Sequence, residues 1–460
     1  MQKVDFENGK VWKNILQTAL PMLVAQVITL LYNIVDRIYI GRIPNIGTKA
    51  LGAVGITFPV IILITGFTNM FGLGGSPLFS IELGRGNKLK ATAIINTVFR
   101  LLIIAAVVIT IIGELFASPI LMIFGATKSE LIYAMPYMRL YLIGTIFTML
   151  STGLNPFINA QGYSSIGMIL VIVGAAANII LDPIFMFTLG MGVSGAALAT
   201  VVSQFISCAL VLKFFKGSKN EYPLKKEKYL PTGDRTQPSV LPQAGKIIGL
   251  GMTPFVMQAT NSLVSICCNN VLMNTGGLTY VSVMTVISSV RQIVDTPALA
   301  VTEGSSPVIS YNYGAGKYKN VLSAIFLMSA IAISYTAIMW FFIEHCPEFF
   351  VGIFTSDEAL SKAAINPMHL YFFAFICQAL QFSGQTVFKA LGEKNYAIFF
   401  SIFRKVILVV PLTFMLPYLF NMGPNGVFIA EPISNFVGGL ASFITMLIVI
   451  VPRLKKGSKV

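Results

Sequence analysis

Two acidic side chains stand deep inside apolar stretches of the N-terminal half of the chain. Asp36 lies in LLYNIVDRIYIG and Asp182 in AAANIILDPIF. An ionised side chain at the middle of a bilayer costs about 2.5–3.5 kcal/mol even on the lenient insertion scale, so each acid is a candidate for function. Asn178 precedes Asp182 by one helical turn, and Tyr32 precedes Asp36 by one turn, so each shares a helix face with its acid.

These residue types suit the binding of a cation or a proton. Carboxylate, amide and hydroxyl oxygens are the ligands that a hard cation such as sodium prefers, and burial of a carboxyl group favours its neutral form, which suits proton exchange. The oxygen ligands leave both coupling ions open, and no other cofactor or metal is expected. In the structural alternative, a cation such as Arg37 neutralises Asp36. Adjacent residues point about 100° apart on a helix, which makes that pair unfavourable.

Two prolines are placed where they weaken a helix. Pro21 in the first apolar stretch cannot complete the backbone hydrogen-bond ladder, so it predicts a hinge or kink there. Pro183 is expected to loosen the helix beside Asp182 in the same way. Carbonyl groups that a proline leaves free can help to coordinate an ion.

The C-terminal half carries a different set of charged residues within its apolar stretches. These are Arg291, Asp295, Glu303, Arg404, Lys405 and Glu431. Arg291 and Asp295 are four residues apart and can neutralise each other, as can Glu431 and a cation on the neighbouring helix. Alternatively, Arg291, Asp295, Glu303 and Glu431 line a substrate cavity, in which Asp295 or Glu303 attracts cationic compounds. Both interpretations stay open, and the difference between the halves predicts that ion coupling resides in the first.

The composition predicts helices that cross a membrane many times. The 460 residues are 55% hydrophobic and only 11% charged, whereas an ordinary soluble protein has roughly 25% charged residues. A helix of about 20 apolar residues spans the hydrocarbon core. Twelve such spans are predicted, at 15–40, 51–78, 94–116, 134–158, 165–188, 192–214, 247–273, 280–308, 321–343, 366–388, 396–419 and 426–450.

The net charge of +14 is explained by topology and does not require a nucleic-acid partner. Lysine and arginine concentrate in alternate connections and at both ends of the chain, and positively charged loops stay in the cytoplasm. We therefore expect a multi-pass protein of the inner (plasma) membrane with both termini in the cytoplasm. The five cysteines show neither a disulfide framework nor metal-ligand spacing.

An internal duplication gives the architecture. Three blocks of the first half recur in the same order in the second half. At an offset of 230, Ser76, Pro77, Ser80, Gly84 and Gly86 correspond to Ser306, Pro307, Ser310, Gly314 and Gly316, and Met138, Leu140 and Tyr141 correspond to Met368, Leu370 and Tyr371. At an offset of 231, Gly195, Ala199, Thr200 and Ser203 correspond to Gly426, Ala430, Glu431 and Ser434. Six helices per half predict two six-helix bundles related by a pseudo-twofold axis along the membrane normal, with alternating access between them. The predicted lobes are 1–216 and 246–460, joined by a cytoplasmic linker at 217–245.

Several motifs together resemble the multidrug and toxic compound extrusion (MATE) family over essentially the whole chain. They are LPML and YNIVDRIYIG in the first span, GGSPLFSIELGRGN and its counterpart SSPVISYNYGAGKY, NIILDPIFMF, and GVSGAALAT. The resemblance implies an antiporter that expels small organic compounds, cationic or amphipathic, while protons or sodium ions enter.

The resemblance also suggests which residues bind the ion. The positions that match the cation or protonation cluster of the family's N-terminal lobe are Asp36, Asn178, Asp182 and Thr200, with Tyr32 beside them. Branches of the family that use acids in the seventh and tenth helices find no match here, because those positions are approximately Ser262 and Gln378. Glu303 and Glu431 therefore have no assigned family role.

Two rival functions fit a multi-helix membrane protein less well. A lipid or lipid-linked oligosaccharide flippase of the same superfamily often has additional helices and a strongly cationic cavity, which twelve spans and buried acids argue against. A membrane-embedded enzyme would need a nucleophile and a base, and no such pair or other catalytic residue is visible around His345 or His369. The expected partners are small-molecule substrates and the lipid bilayer, and the protein is expected to act as a monomer.

Overall fold

The regular secondary structure of the described part of the chain is entirely helical. The computed structural model describes residues 3–44, 47–124, 126–217, 220–224, 240–355 and 357–458. In the first half the helices are α1 (Val11–Gly41), α2 (Gly47–Gly84), α3 (Lys88–Leu115), α4 (Ala117–Ile123), α5 (Lys128–Ala160), α6 (Ser164–Pro183) and α7 (Gly192–Lys216). In the second half they are α8 (Val240–Gly314), α9 (Tyr318–His345), α10 (Pro347–Gly352), α11 (Glu358–Phe372), α12 (Ile376–Ala390), α13 (Lys394–Ile402), α14 (Val410–Tyr418), α15 (Pro424–Thr445) and α16 (Val451–Gly457). Single π-helical segments follow α6 (Ile184–Thr188), α13 (Phe403–Val409) and α15 (Met446–Ile450).

The predicted number of membrane spans is confirmed in the described residues. Ten helices are long and apolar enough to cross a membrane, and α11 with α12 forms a further span that is bent by 48°. Helix α8 contains two spans, because its backbone leaves the helical region at Gly277, whose φ is 72°. This left-handed conformation is accessible to glycine without the steric cost that a side chain would add. The chain is therefore an all-α, multi-pass membrane protein with twelve spans.

The chain folds into two compact units whose boundaries lie inside helices. Unit 1 comprises the N-terminal residues up to Asp5 together with Val24–Phe255, and unit 2 comprises Phe6–Leu23 and Val256–Val460. The first part of α1 thus belongs to unit 2, and the beginning of α8 belongs to unit 1. The predicted linker of 217–245 lies for its greater part outside the described residues.

Close helix contacts in unit 1 depend on glycine. A Cβ added to Gly251 at the beginning of α8 would lie 1.8 Å from the carbonyl oxygen of Met70 on α2, and one added to Gly74 would lie 2.5 Å from the carbonyl oxygen of Ile247. Two helix backbones come this close only where a side chain is missing, as between other transmembrane helices. These contacts hold the beginning of α8 against α2.

The short segment that follows α7 is held by a surface carboxylate. Glu221 accepts hydrogen bonds from the ammonium groups of Lys3, at 3.0 Å, and of Lys88, at 3.2 Å. These two lysines lower the pKa of Glu221. The carboxylate connects the segment after α7 to the N-terminal segment and to the beginning of α3.

Candidate functional site

Three helices of unit 1 bring the predicted cation residues together. The side-chain amide of Asn178 donates to Asp182 at 3.3 Å, within α6, and to the hydroxyl of Thr200 on α7 at 3.4 Å. The carboxyl groups of Asp182 and of Asp36, on α1, are within hydrogen-bonding reach of each other. Two carboxyl groups can share a hydrogen bond only when one of them holds a proton. We call Asp36, Asn178, Asp182 and Thr200 the N-lobe cluster.

The N-lobe cluster has more acceptor oxygens than the protein satisfies. Asp182 is 0% exposed and Asn178 is also buried. Within the described residues, one oxygen of Asp36, one of Asp182 and the amide oxygen of Asn178 are buried without a hydrogen-bond partner. Such atoms are costly to bury, and a hard cation or an added proton would satisfy them.

Arg37 does not neutralise the cluster by direct contact. Its guanidinium group lies over the ring of Phe58, 4.9 Å from the ring centroid, and among the described residues it forms no ion pair with Asp36. This arrangement agrees with the expectation that neighbouring residues on a helix face different directions. Within the described residues, therefore, neither acid has the ion-paired cation that a purely structural role would require.

Three tyrosines surround the acids. Tyr32, as predicted from its spacing, is in electrostatic range of both Asp36 and Asp182. Tyr137 and Tyr141 on α5 are stacked on each other with centroids 6.3 Å apart, and both are in electrostatic range of Asp36. No sequence pattern placed these two tyrosines in the site, although the duplication pairs Tyr141 with Tyr371.

A small cavity with both apolar and polar lining residues adjoins the N-lobe cluster within unit 1. Its volume of about 90 Å³ has room for a few water molecules. Its lining includes Tyr32, Asn178 and Thr200 together with polar residues of α5 and α7: Ser151, Asn155, Ser203, Gln204 and Ser207. These groups offer hydrogen bonds to water or to a hydrated ion beside the acids.

Pro21 lies close to a boundary between the two units, and Pro183 lies at the end of a helix. Helix α1 continues through Pro21, which is close to the point between Leu23 and Val24 where the chain passes from unit 2 to unit 1. Helix α6 ends at Pro183, directly after Asp182, and a π-helical segment follows. The wider turn agrees with the loosening that was expected beside this acid.

Unit 2 contains a second cluster, in which acids and cations are paired. One carboxylate oxygen of Glu431 is 2.7 Å from Arg291, 3.1 Å from Arg404 and 2.8 Å from Lys405. Arg291 also contacts Asp295 at 3.1 Å. We call Arg291, Asp295, Arg404, Lys405 and Glu431 the C-lobe cluster. The ion pairs that the sequence allowed are therefore present in the structure.

Polar side chains extend the C-lobe cluster. Arg291 donates to the hydroxyl of Tyr371 at 2.5 Å, and Arg404 donates to the amide oxygens of Gln378, at 3.1 Å, and of Asn435. Arg404 and Lys405 lie next to each other in the π-helical segment that follows α13. Both contact the same oxygen of Glu431, which shows that the two neighbouring side chains turn to one side of the helix.

The C-lobe cluster lines a cavity of about 640 Å³ inside unit 2. This volume falls within the range of small-molecule sites. Arg291, Asp295 and Glu431, three of the four residues predicted for a substrate cavity, line it. Glu303 does not contribute to this lining. It pairs with Lys389 on α12, a partner that no spacing in the sequence indicates.

A family model supports the resemblance that the sequence suggested. The model described as MatE matches residues 21–184 and 254–415, which include Asp36, Asn178 and Asp182 in the first segment and Arg291 and Asp295 in the second. The two matched segments also reproduce the duplication.

Curated relatives match nearly the whole chain. The multidrug export protein MepA of Staphylococcus aureus (strain N315) is 25% identical over 450 residues, which cover 97% of this chain and 95% of MepA. The protein of the same name from Staphylococcus haemolyticus (strain JCSC1435) is 24% identical over 445 residues, with coverage of 95% and 94%.

Solved structures share the fold. A crystal structure of MATE in the bent conformation superposes with a TM-score of 0.91 at 23% identity, covering 100% of both chains. An outward-facing multidrug resistance MATE family transporter of the MOP superfamily gives a TM-score of 0.89 at 22% identity, covering 100% of this chain and 99% of that one.

Proposed function

Since the chain belongs to the MatE family of membrane transporters, we propose that it exports small organic compounds in exchange for a proton or a sodium ion. The MepA proteins that it resembles are named as multidrug export proteins, and this likeness supports export of several compounds. The observation that carries the ion-coupling part is the N-lobe cluster, with two acids inside apolar helices and, within the described residues, three buried oxygens without a hydrogen-bond partner.

The proposed coupling step is neutralisation of the N-lobe cluster. Without a bound cation, Asp36 and Asp182 face each other with acceptor oxygens that no protein donor satisfies. A sodium ion among these oxygens, or a proton on one carboxyl group, removes that cost. Because the two acids lie on α1 and α6, the change alters how strongly these helices hold together. Pro21 is where we expect α1 to bend in response.

Alternating access links this step to export. In the ion-free form the protein takes up substrate from the cytoplasm or the inner leaflet, and cation entry favours the form that releases it outside. The membrane potential supplies about 2.3 kcal/mol per charge per 100 mV. One coupled charge therefore sustains roughly a fifty-fold substrate gradient at 100 mV, by tenfold per 1.4 kcal/mol. We propose that the protein acts in the plasma membrane as a monomer with cytoplasmic termini.

The pairing of the acids in unit 2 bears on the charge of the exported compound. One reason to expect cationic substrates was that Asp295 or Glu303 could attract them, and both of these acids are paired with a cation of the protein. Amphipathic compounds remain the proposed class, because the cavity in unit 2 combines apolar and polar lining.

The test is gradient-driven transport in proteoliposomes. Purified protein is reconstituted, a proton or a sodium gradient is imposed separately, and movement of ethidium and of an amphipathic sulfonate dye is followed. We expect the active gradient to concentrate at least one of the two dyes. We expect Asp36→Asn and Asp182→Asn to abolish this accumulation while exchange of dye at equal concentrations persists.

A matched control separates charge loss from general damage. Asp357 caps α11 with hydrogen bonds to two backbone N–H groups, and asparagine caps a helix equally well, so Asp357→Asn should transport like the wild type. Wild-type accumulation in both cluster variants would contradict coupling through the N-lobe cluster. Absence of accumulation under every gradient in the wild type would contradict cation-coupled export itself.

A further inference from the structure

The C-lobe cluster contains more positive than negative side chains. Arg291, Arg404 and Lys405 face Asp295 and Glu431, and all five line the same cavity. Their formal charges leave one positive charge in excess. A charge inside a membrane segment is costly unless a partner neutralises it, so the cluster favours an anion in the cavity.

One buried donor lacks a partner at this place. Arg404 is only 4% exposed, and within the described residues its Nε has no hydrogen-bond partner. The donors of a guanidinium group form a rigid fork that fits the oxygens of a carboxylate, sulfonate or phosphate. Since Arg404 lines the cavity, an oxyanion there would satisfy an atom that the protein leaves unsatisfied.

Two acceptor oxygens of the lining also lack partners, and they restrict the ligand. They belong to Asp295 and Gln381. The nitrogen and oxygen of a glutamine amide are assigned from the hydrogen-bond network, so Gln381 can turn its amide group and donate to an anion. Asp295 remains an acceptor, which suits a water molecule or a hydroxyl or amide group elsewhere on the ligand.

Part of the cavity is suited to an apolar group. Seven lining residues are apolar: Met257, Val264, Met284, Leu299, Phe382, Val409 and Val427. A volume of about 640 Å³ holds a molecule with one or two rings. We propose that the cavity of unit 2 binds an amphipathic organic monoanion, whose charged group lies at Arg404 and Lys405. This binding does not rest on the proposed export, although the same anion would be a candidate substrate.

Direct binding to the purified full-length chain tests this site. In a non-ionic detergent, isothermal titration calorimetry compares 1-naphthalenesulfonate with 1-naphthalenesulfonamide, a neutral molecule of nearly the same shape. We expect the sulfonate to bind at least about tenfold more tightly, because only the anion compensates the excess positive charge. Equal affinity of the two compounds, or no saturable binding of the sulfonate, would overturn the proposal.

Charge variants locate the binding in the C-lobe cluster. Lys405→Gln and Arg404→Gln should each weaken sulfonate binding about tenfold or more. Glu431→Gln raises the excess positive charge and should tighten binding several-fold, an effect opposite to that of damage to the fold. Arg453→Gln, which removes a cation on the surface of unit 2, should leave the affinity unchanged. Wild-type affinity in all three cluster variants would place the binding elsewhere and contradict the proposal.

The same anionic chemistry occurs on free compounds and on lipid headgroups, and competition distinguishes these sources. Dihexanoyl phosphatidylglycerol is added to the complex, with the zwitterionic dihexanoyl phosphatidylcholine as control. Displacement of the sulfonate by the glycerol lipid alone would identify a lipid headgroup as a ligand of the site, and no displacement by either would identify a soluble anion. Equal displacement by both lipids would contradict recognition of negative charge. A failure of the sulfonate to bind would contradict the anion site but would not affect the gradient-driven transport that tests the N-lobe cluster. The two proposals can therefore be refuted separately.

Discussion

Breaking the ion pair between Glu303 and Lys389 tests whether Glu303 is a structural residue. The pair joins α8 and α12 across 86 positions of the sequence. The side chains of Lys389 and Glu303 are only 7% and 19% exposed. The perturbation is a double-mutant cycle composed of Glu303→Gln, Lys389→Gln and the combined variant.

The burial of the pair sets the expected magnitude. Removing one partner of a buried ion pair leaves an uncompensated charge, which costs about 3–5 kcal/mol, whereas removing both charges is often close to neutral. Each single variant should therefore lose about 3 kcal/mol or more of unfolding free energy. The double variant should recover most of this loss. The interaction energy is the sum of the two single losses minus the loss of the double variant, which makes it roughly 5 kcal/mol.

Reversible unfolding in mixed micelles with sodium dodecyl sulfate measures these free energies. The matched control is the pair of Arg453 and Glu393, whose side chains are 59% and 28% exposed. An exposed pair should give an interaction energy of about 0.2–1 kcal/mol. An interaction energy for Glu303 and Lys389 no larger than that of the control pair would refute the reasoning and would return Glu303 to the candidates for a transport role.

Two further predictions concern unit 1. Lys3 and Lys88 lower the pKa of Glu221 in the folded protein. The stabilising effect of the Glu221 carboxylate is therefore fully present above the unfolded carboxyl pKa of about 4.3, and it is lost as the pH falls through the lower folded pKa. Glu221→Gln should therefore lower the unfolding free energy by about 0.2–1 kcal/mol at pH 7, seen as a slightly lower melting temperature, but should have no such effect at pH 3. An equal loss at both pH values would contradict this. Gly251→Leu should destabilise unit 1 by about 1–3 kcal/mol, because the added side chain overlaps a carbonyl group of α2, in the range known for overpacked interiors. Gly55→Ala, which places a methyl group in open space, is its control in the same micelle unfolding assay, and equal effects of the two variants would argue against the close helix contact.

Hydropathy predicted the membrane architecture well because it is a local property. Each span contains enough apolar residues to be recognised without knowledge of its neighbours. Glycine and proline mark the helix ends and breaks, as Gly277 does within α8. The boundaries of the compact units are different, since they fall inside the helices α1 and α8. Pro21 lies close to the first boundary, but α1 continues through it. The partition depends on which helices pack together, and no linear pattern records it.

The N-lobe cluster could be predicted in part from rarity and spacing. Acids such as Asp36 and Asp182 are so uncommon in apolar stretches that each stands out alone, and helical periodicity placed Asn178 beside one of them. Tyr137 and Tyr141 could not be recognised in this way. Tyrosine is common in membrane helices, and only the rotation of α5 turns these two side chains toward Asp36.

The sequence by itself determined that this protein crosses the membrane twelve times, that it arose by duplication, and that its halves differ in their buried charges. Only the tertiary structure decided which charges pair. Glu303 forms an ion pair with Lys389. Glu431 forms ion pairs with Arg291 and Arg404, which lie on two different helices. The physical reason is that the ionic environment of a side chain depends on the packing and rotation of distant helices. Hydrophobicity and helical period act along the chain and can be recognised there, whereas an ion pair forms across it.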